Sequence, residues 1–153
     1  MARTYELDPC SVAGTLDIVG ERWTLLVLRE AFLGVRRFEE MQRHLGIARN
    51  ILAARLQTLV GHGILERRRY SERPARYEYH LTQKGLDLYP ALVSLMQWGD
   101  RYVAGKSGPP VVLRHRGCGE LTRPHLACSE CGEPLGARDV IAETGPGAAR
   151  RSA

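Results

Sequence analysis

The segment Phe38–Ile64, FEEMQRHLGIARNILAARLQTLVGHGI, carries two apolar patterns at helical spacing. The first pattern consists of Phe38, Met41 and Leu45, and Gly46 interrupts it. The second pattern consists of Ile51, Leu52, Leu56, Leu59 and Val60. Two short amphipathic helices joined by a tight turn that contains glycine are typical of a helix-turn-helix motif.

The outward face of the second helix carries side chains that suit a DNA groove. The residues that point away from its apolar face are Arg49, Asn50, Ala53 and Gln57. Arginine and asparagine read base edges with paired hydrogen bonds in the major groove, and the small Ala53 lets the helix approach closely. The alternative is an ordinary helical hairpin with a solvated face, because the pattern is permissive.

An arginine-rich hairpin follows the two helices. The segments 64–70 and 76–81 flank the tip SERPA, and in the second segment Tyr77, Tyr79 and Leu81 alternate with polar residues, as in a strand. A helix-turn-helix followed by such a hairpin is a winged helix. We therefore predict a mainly α protein with a small β-hairpin, in the α+β class.

Charge is concentrated on this motif. The chain has 153 residues, 44% of them hydrophobic, which predicts one globular domain with a small appendage. Residues 36–76 hold ten arginines and four glutamates, a net charge of +6, whereas the rest sums to −1. This clustering favours a phosphate backbone as partner, although genome composition can explain the preference for arginine over lysine. The polar start and the absence of an apolar run near 18 residues predict a cytoplasmic protein without a membrane span.

Two helices precede the motif. Asp8 as the cap and Pro9 as the first helical residue predict a helix that ends at Gly20. Cys10 is expected in its first turn, where free N–H groups favour a thiolate, so Cys10 is a candidate sensor or else a small packed residue near a dimer interface. The second helix, 21–34, is apolar nearly all round and is expected at the centre of the domain.

Residues 35–37 are predicted to form a short strand or turn that pairs with the hairpin. Arg36 and Arg37 are candidate phosphate contacts, or else a solvated charge pair. After the hairpin, Thr82 is the predicted cap of one helix to about Ala104, with a kink at Pro90. This helix has two apolar stripes, one more than a single domain needs, so its surplus face is predicted to form a dimer interface. A two-fold dimer places its reading helices about 34 Å apart on a palindromic operator.

A cysteine-rich module lies beyond a linker at 105–110, GKSGPP. Residues 1–104 are the predicted DNA-binding and dimerisation domain, 111–142 the module and 143–153 a disordered tail. The predicted zinc ligands of the module are His115, Cys118, Cys128 and Cys131. Four such ligands in two close pairs suit tetrahedral zinc, and about 32 residues with few aliphatics need a staple.

Two alternatives for the module remain open. His125 competes for the place of the fourth ligand, and Cys128 with Cys131 could instead be a redox pair. A catalytic pair of the thioredoxin type needs a βαβ setting, whereas proline and glycine flank the pair in this chain.

The run from Cys10 to about Arg101 resembles the HxlR family of bacterial winged-helix regulators, relatives of the MarR group. The distinctive blocks are DIVGERWTLLVLRE, ERPARYEY and the pair LTQKG and QWGD. The resemblance implies a homodimeric transcriptional regulator in which the N-terminal helix and the long last helix form the dimer. It also implies that Arg49 and Asn50 face bases. The residues that it implies face the DNA backbone are Arg36, Arg37, Arg73 and Arg76.

The same resemblance matches Cys10 to an N-terminal cysteine that several members use to sense oxidants, quinones or aldehydes. Ala48 departs from the pattern, because a serine often opens the reading helix in this family, and the cysteine module lies beyond the family core. We therefore expect a dimeric DNA-binding repressor that responds to a small-molecule effector or to thiol chemistry, and no enzyme. The competing interpretations are a zinc-stapled protein-interaction module with an incidental basic face, and a thiol oxidoreductase.

Overall fold

The computed structural model describes residues 10–147. The predicted cap at Asp8 and Pro9 and the last six residues of the predicted tail lie outside the described residues. The described chain falls into two compact units, the first ending at Leu92 and the second beginning at Val93. Within residues 10–147, no helix is long and apolar enough to cross a membrane.

The elements follow the order of a winged helix and confirm the α+β class. In chain order they are α1 (Ser11–Val19), α2 (Arg22–Phe32), α3 (Phe38–Leu45), α4 (Arg49–Gly61), β1 (Leu65–Ser71), β2 (Arg76–Leu81), α5 (Gln83–Leu86), α6 (Tyr89–Tyr102), β3 (Leu113–Arg114) and β4 (Leu121–Thr122).

Local sequence explains where the central helices begin and end. The Glu21 carboxylate accepts hydrogen bonds from the N–H groups of Trp23 and Thr24 and so caps α2. Gly46 ends α3 in the left-handed conformation, with φ of 63°, which glycine adopts without strain. Ala48 precedes α4 and offers no side-chain cap.

One apolar core holds the first unit together. Its buried members come from α1 to α4 and the start of the hairpin, and they are Val19, Val27, Leu28, Val35, Met41, Ile47, Leu52, Leu56, Leu59, Ile64 and Leu65. The predicted central position of α2 is confirmed, since Val27 and even Thr24 are fully buried. The helix-turn-helix is thus fixed to a rigid support.

The hairpin pairs in register from Leu65 opposite Leu81 to Arg69 opposite Tyr77. The predicted short strand also exists as a single bridge between Arg37 and Glu78, where the Tyr79 N–H donates to Arg36 O at 2.8 Å. Because β2 has a neighbour on each side, residues 77–81 are all partly buried instead of alternating. The strand prediction is right, but its alternation does not separate a buried from an exposed face.

The prediction of one kinked helix from Thr82 to Ala104 is wrong. The chain forms α5, leaves the helix at Asp87 and starts again at Tyr89. Thr82 is the cap, as predicted, and accepts a hydrogen bond from the Gly85 N–H. Pro90 is the second residue of α6, where a missing N–H breaks no helical bond, so the proline helps to start a helix.

The predicted position of Cys10 also needs correction. Cys10 is the residue that precedes α1, with extended φ and ψ of −104° and 113°, and it does not lie within the first turn. Its side chain makes no capping hydrogen bond. Along α1 only Val19 is buried, while Val12 and Leu16 are 66% and 56% exposed.

The second unit contains two small hairpins after α6. The first hairpin pairs Leu113 with Thr122 and Arg114 with Leu121. The second is held by a bridge between Ala127 and Pro134 and by a bond from the Leu135 N–H to Leu126 O of 2.9 Å. No residue from 111 to 147 is buried, so these hairpins have no apolar core of their own.

Candidate nucleic-acid interface

Helix α4 has one anchored face and one free face. Leu52, Leu56 and Leu59 are at most 1% exposed and fix the helix to the core. The residues predicted to face DNA, which are all exposed, are Arg49, Asn50, Ala53 and Gln57. A helix held by three buried leucines presents the opposite face in a defined orientation, as direct reading of base edges requires.

Arg49 is positioned by an aromatic ring that sequence reasoning did not assign to the site. Its guanidinium lies 4.6 Å from the centre of the Phe38 ring, at the start of α3. Such a contact at an exposed position contributes about 0.5–1 kcal/mol. The contact links the first residues of the two motif helices and limits the directions that the Arg49 side chain can take.

Three consecutive arginines of β1 are used within the hairpin. Arg67 lies 3.6 Å from the centre of the Tyr77 ring, and Arg68 pairs with Glu66. Arg69 donates to the carbonyl oxygens of Ser71 and Glu72 at 3.2 and 3.0 Å and so closes the tip. These arginines stabilise the wing and have fewer donors free for another partner.

Three of the predicted backbone-facing arginines have free guanidinium groups. Arg36, Arg73 and Arg76 are exposed, and none of them forms an ion pair with any residue between 10 and 147. Their charges therefore face solvent from the bridge strand, the wing tip and the start of β2. An arginine without an ion-pair partner has its full charge and all of its guanidinium donors available to bind a phosphate.

Arg37 has a different environment from Arg36. Its Nε donates to Glu78 Oε1 at 3.1 Å, and its guanidinium stacks 4.6 Å from the Tyr70 ring centre. The bond to Glu78 raises the pKa of Arg37, and the same bond lowers the pKa of Glu78, with help from His80 and against partial desolvation. Arg37 thus ties the start of α3 to the wing.

A buried carboxylate supports the motif from below. Glu30 on α2 is 2% exposed, and it accepts hydrogen bonds from Arg29 Nη2 at 2.6 Å and from His44 Nδ1 on α3 at 2.8 Å. Burial raises the pKa of Glu30, but the bonds from Arg29 and His44 outweigh burial, so the pKa lies below its ordinary value. A lone glutamate in an apolar helix was the signal that could have revealed this cluster.

The candidate sensor Cys10 is exposed at the start of α1. A groove of about 250 Å³ begins at the next residue and is mainly apolar. Its lining residues are Ser11, Gly14, Thr15, Ile18, Val19, Ile64, Lys84 and Leu88.

The predicted zinc ligands occur as two separate pairs. His115 Nδ1 lies 3.3 Å from Cys118 Sγ. Cys128 accepts hydrogen bonds from the backbone N–H groups of Cys131 and Glu130 and from the Cys131 thiol, which lower the pKa of Cys128. Across the described residues, no three His, Cys, Asp or Glu side chains converge as a ready metal site, and all four cysteines are free.

Comparison with known proteins gives consistent results. The HxlR-like helix-turn-helix family matches residues 18–107. An uncharacterized HTH-type transcriptional regulator of Mycobacterium tuberculosis H37Rv is 55% identical over 144 residues, which is 94% of this chain and 91% of the relative. The fold and the relatives indicate a transcription regulator and not an enzyme.

Solved structures agree with this family. The crystal structure of PA1607, a proposed transcription factor, is 40% identical with a TM-score of 0.77 and covers 89% of this chain and 95% of that chain. The redox regulator HypR in its oxidized form is 32% identical with a TM-score of 0.56 and covers 60% of this chain and 96% of that chain.

Proposed function

Because the chain belongs to the HxlR-like helix-turn-helix family of transcriptional regulators, we propose that it is a homodimeric repressor that reads a palindromic operator with α4. The observation that carries this proposal is the free face of α4, opposite three buried leucines. Arg49 and Asn50 make paired hydrogen bonds to base edges, Ala53 allows close approach, and Gln57 extends the contact along the groove.

The wing and the bridge strand contact the DNA backbone. Arg36, Arg73 and Arg76 bind phosphates, since their guanidinium groups are exposed and free of ion pairs within the described chain. Arg37 keeps its bond to Glu78 and offers its remaining donors to a phosphate. Phosphate contacts fix the orientation of the protein, and the α4 contacts supply sequence preference.

The terminal helices form the dimer in this proposal. On α1 the exposed apolar residues are Val12 and Leu16, and on α6 they include Leu95, Trp98 and Tyr102. Large apolar side chains on two helices are an unusual surface for a monomer. Residues 1–104 then act as the DNA-binding and dimerisation domain, followed by the linker at 105–110, the module at 111–142 and the tail.

The signal acts at or near Cys10. Its thiol is exposed at the end of a helix that we assign to the dimer interface, and the likeness to the redox regulator HypR supports a thiol-responsive signal. Oxidation or alkylation of Cys10, or an effector in the adjacent groove, changes the spacing of the two reading helices. The protein acts in the cytoplasm on nucleoid DNA.

The test starts from a random library of DNA duplexes, from which the full-length protein selects its own sites. We expect one palindromic consensus and an affinity that falls steeply with salt. Arg73→Ala should weaken all sequences alike and reduce the salt slope by about one unit. Arg138→Ala, which removes an exposed arginine of the C-terminal region, serves as the control and should leave the salt slope unchanged.

Two outcomes contradict the proposal. A library that yields no consensus removes sequence-specific reading. Binding that is insensitive to salt, together with an unchanged Arg73→Ala variant, favours a protein-interaction module whose basic face is incidental.

A further inference from the structure

The C-terminal region contains a ten-residue pattern that recurs after thirteen residues. Residues 113–122 read LRHRGCGELT, and residues 126–135 read LACSECGEPL. Leucine, cysteine, glycine and glutamate are identical at four equivalent positions. The repeat aligns His115 with Cys128 and Cys118 with Cys131, so each copy carries two soft or borderline metal ligands three residues apart.

The two copies also have the same backbone structure. Leu113 pairs with Thr122, and thirteen residues later the Leu135 N–H donates to Leu126 O. In the first copy the His115 N–H donates to Glu120 O at 2.9 Å, and in the second the Cys128 N–H donates to Glu133 O at 2.8 Å. Equal strand pairing and equal hydrogen bonds indicate one turn geometry used twice.

A glycine completes each turn in the same way. The N–H of Gly119 donates to His115 O at 2.8 Å, and the N–H of Gly132 donates to Cys128 O at 2.9 Å. Their φ angles are 76° and 77°, in the left-handed region that favours glycine. Each turn therefore requires the glycine that directly follows its second candidate ligand.

The first turn brings its two candidate ligands to a suitable separation. His115 Nδ1 lies 3.3 Å from Cys118 Sγ. Ligands on one tetrahedral zinc, with bonds of about 2.0 Å to nitrogen and 2.3 Å to sulfur, lie about 3.5 Å apart. In the second turn Cys128 and Cys131 occupy the equivalent positions, and the same two backbone hydrogen bonds hold that turn.

Gly117 is adapted to the larger ligand of the first copy. A Cβ atom at this position would lie 2.8 Å from His115 Cε1, so a side chain at residue 117 would require the imidazole to shift. The equivalent residue in the second copy is Glu130, where the ligand is the smaller Cys128.

The two hairpins have no apolar core and only short strands to stabilise them. No side chain between 111 and 147 is buried, and two strands of two residues each form a marginal sheet. Small domains without an apolar core are held by disulfides or metals, and these thiols are free.

We propose that the two repeated turns close over one structural zinc ion whose complete ligand set is His115, Cys118, Cys128 and Cys131. Each turn already holds its own pair, and the ion joins the pairs as the three thiols release their protons. Four protein ligands leave no open position, so the ion has a structural role. His125 lies outside both copies of the repeat and is not a ligand. This inference is independent of the proposed reading of DNA.

The test uses the full-length protein, loaded with zinc and freed of excess metal. We expect one zinc per chain by elemental analysis and by native mass spectrometry. Cys118→Ser and Cys131→Ser should lose that zinc, whereas His125→Ala and Cys10→Ser should keep it. Far-UV circular dichroism of each variant checks that the winged helix is still folded.

Two further measurements test the ligand assignment. Cobalt(II) should bind the native protein with a tetrahedral absorption spectrum that changes in His115→Ala and stays the same in His125→Ala. Gly117→Ala should weaken zinc at least tenfold in competition with a chelator, because the new Cβ displaces the imidazole.

Three results overturn the proposal. A metal-free protein with two fewer alkylatable thiols per chain means that a disulfide links the C-terminal cysteines. If zinc is retained in His115→Ala but lost in His125→Ala, the histidine ligand is His125 and not His115. Zinc that is lost only with Cys10→Ser places the ion elsewhere.

Discussion

The winged-helix unit and the C-terminal hairpins differ in what holds them together. The first unit buries eleven apolar residues around α2 and α4. The region from 111 to 147 buries none and instead repeats a turn that carries the proposed zinc ligands. If the C-terminal hairpins are held by the proposed zinc ion, one chain combines a unit stabilised by apolar packing with a region stabilised by coordination, and the two should respond to different perturbations.

Removal of the proposed zinc should cause the largest loss of stability, and this loss should be confined to the second unit. Structural zinc sites contribute on the order of 10 kcal/mol in small domains. With a chelator, the N–H groups of His115 and Cys128 should lose their protection from hydrogen exchange, while those of the buried α2 stay protected. The Cys118→Ser variant is the control, because a chelator should change nothing further in it. Loss of protection in α2 would show that the two units are not separate in stability.

Leu56→Ala should have the converse effect. Leu56 is 1% exposed in the core, and removing its side chain should lower the free energy of unfolding by about 2–5 kcal/mol. Urea denaturation measures this loss, and zinc content should remain at one ion per chain. Leu121→Ala, at a leucine of β4 that is 58% exposed, is the matched control and should stay within about 0.5 kcal/mol of the native protein. Equal losses for both leucines would contradict the contrast between the units.

Glu30→Gln should destabilise the first unit less than Leu56→Ala does, by about 1–3 kcal/mol. It removes a buried carboxylate that accepts hydrogen bonds from Arg29 and His44, and both of these partners remain partly solvated. The pKa of Glu30 is lowered in the folded protein, so its stabilisation is present above the ordinary glutamate pKa of about 4.3 and disappears as pH falls through the folded value. Unfolding measured from pH 7 to pH 3 should therefore show a flatter acid decline in Glu30→Gln. Glu143→Gln, at an exposed glutamate, should follow the native curve.

Phe38→Leu should have the smallest effect. The change keeps an apolar side chain but removes the ring that Arg49 stacks on. Loss of a cation–π contact worth about 0.5–1 kcal/mol corresponds to a roughly two- to fivefold loss of operator affinity. Fluorescence anisotropy on the selected operator measures the loss. In an Arg49→Ala background the same change should add nothing, and an additional loss there would mean that Phe38 acts by another route.

Apolar periodicity and turn residues predicted α2, α3, α4 and the hairpin, because their buried faces repeat within one element. The same reasoning failed from Thr82 onward, since a helical pattern on both sides of Asp87 hides the break and Pro90 fits the first turn of α6 as well as a kink. It also placed Cys10 two positions too far into the helix, since Cys10 and not Asp8 is the residue that precedes α1.

Contacts between distant residues were outside the reach of local patterns. Glu30 meets His44 fourteen residues away, and Arg37 meets Glu78 forty-one residues away. The basic cluster was visible as charge, but only side-chain partners separate the engaged Arg69 from the free Arg73. The repeat at an offset of thirteen residues is visible in the sequence, but four identities in ten positions are weak evidence alone. The repeat becomes convincing only because both copies form the same turn.

The most direct test of the central claim is the affinity of the native protein and of Arg49→Ala for the selected operator with each base pair replaced in turn. We expect the native protein to discriminate by about 1–3 kcal/mol at one symmetric base pair of each half-site and Arg49→Ala to lose this discrimination there alone. If Arg49→Ala instead weakens every sequence equally and keeps the full base preference, α4 does not read DNA through Arg49 and the central claim is wrong.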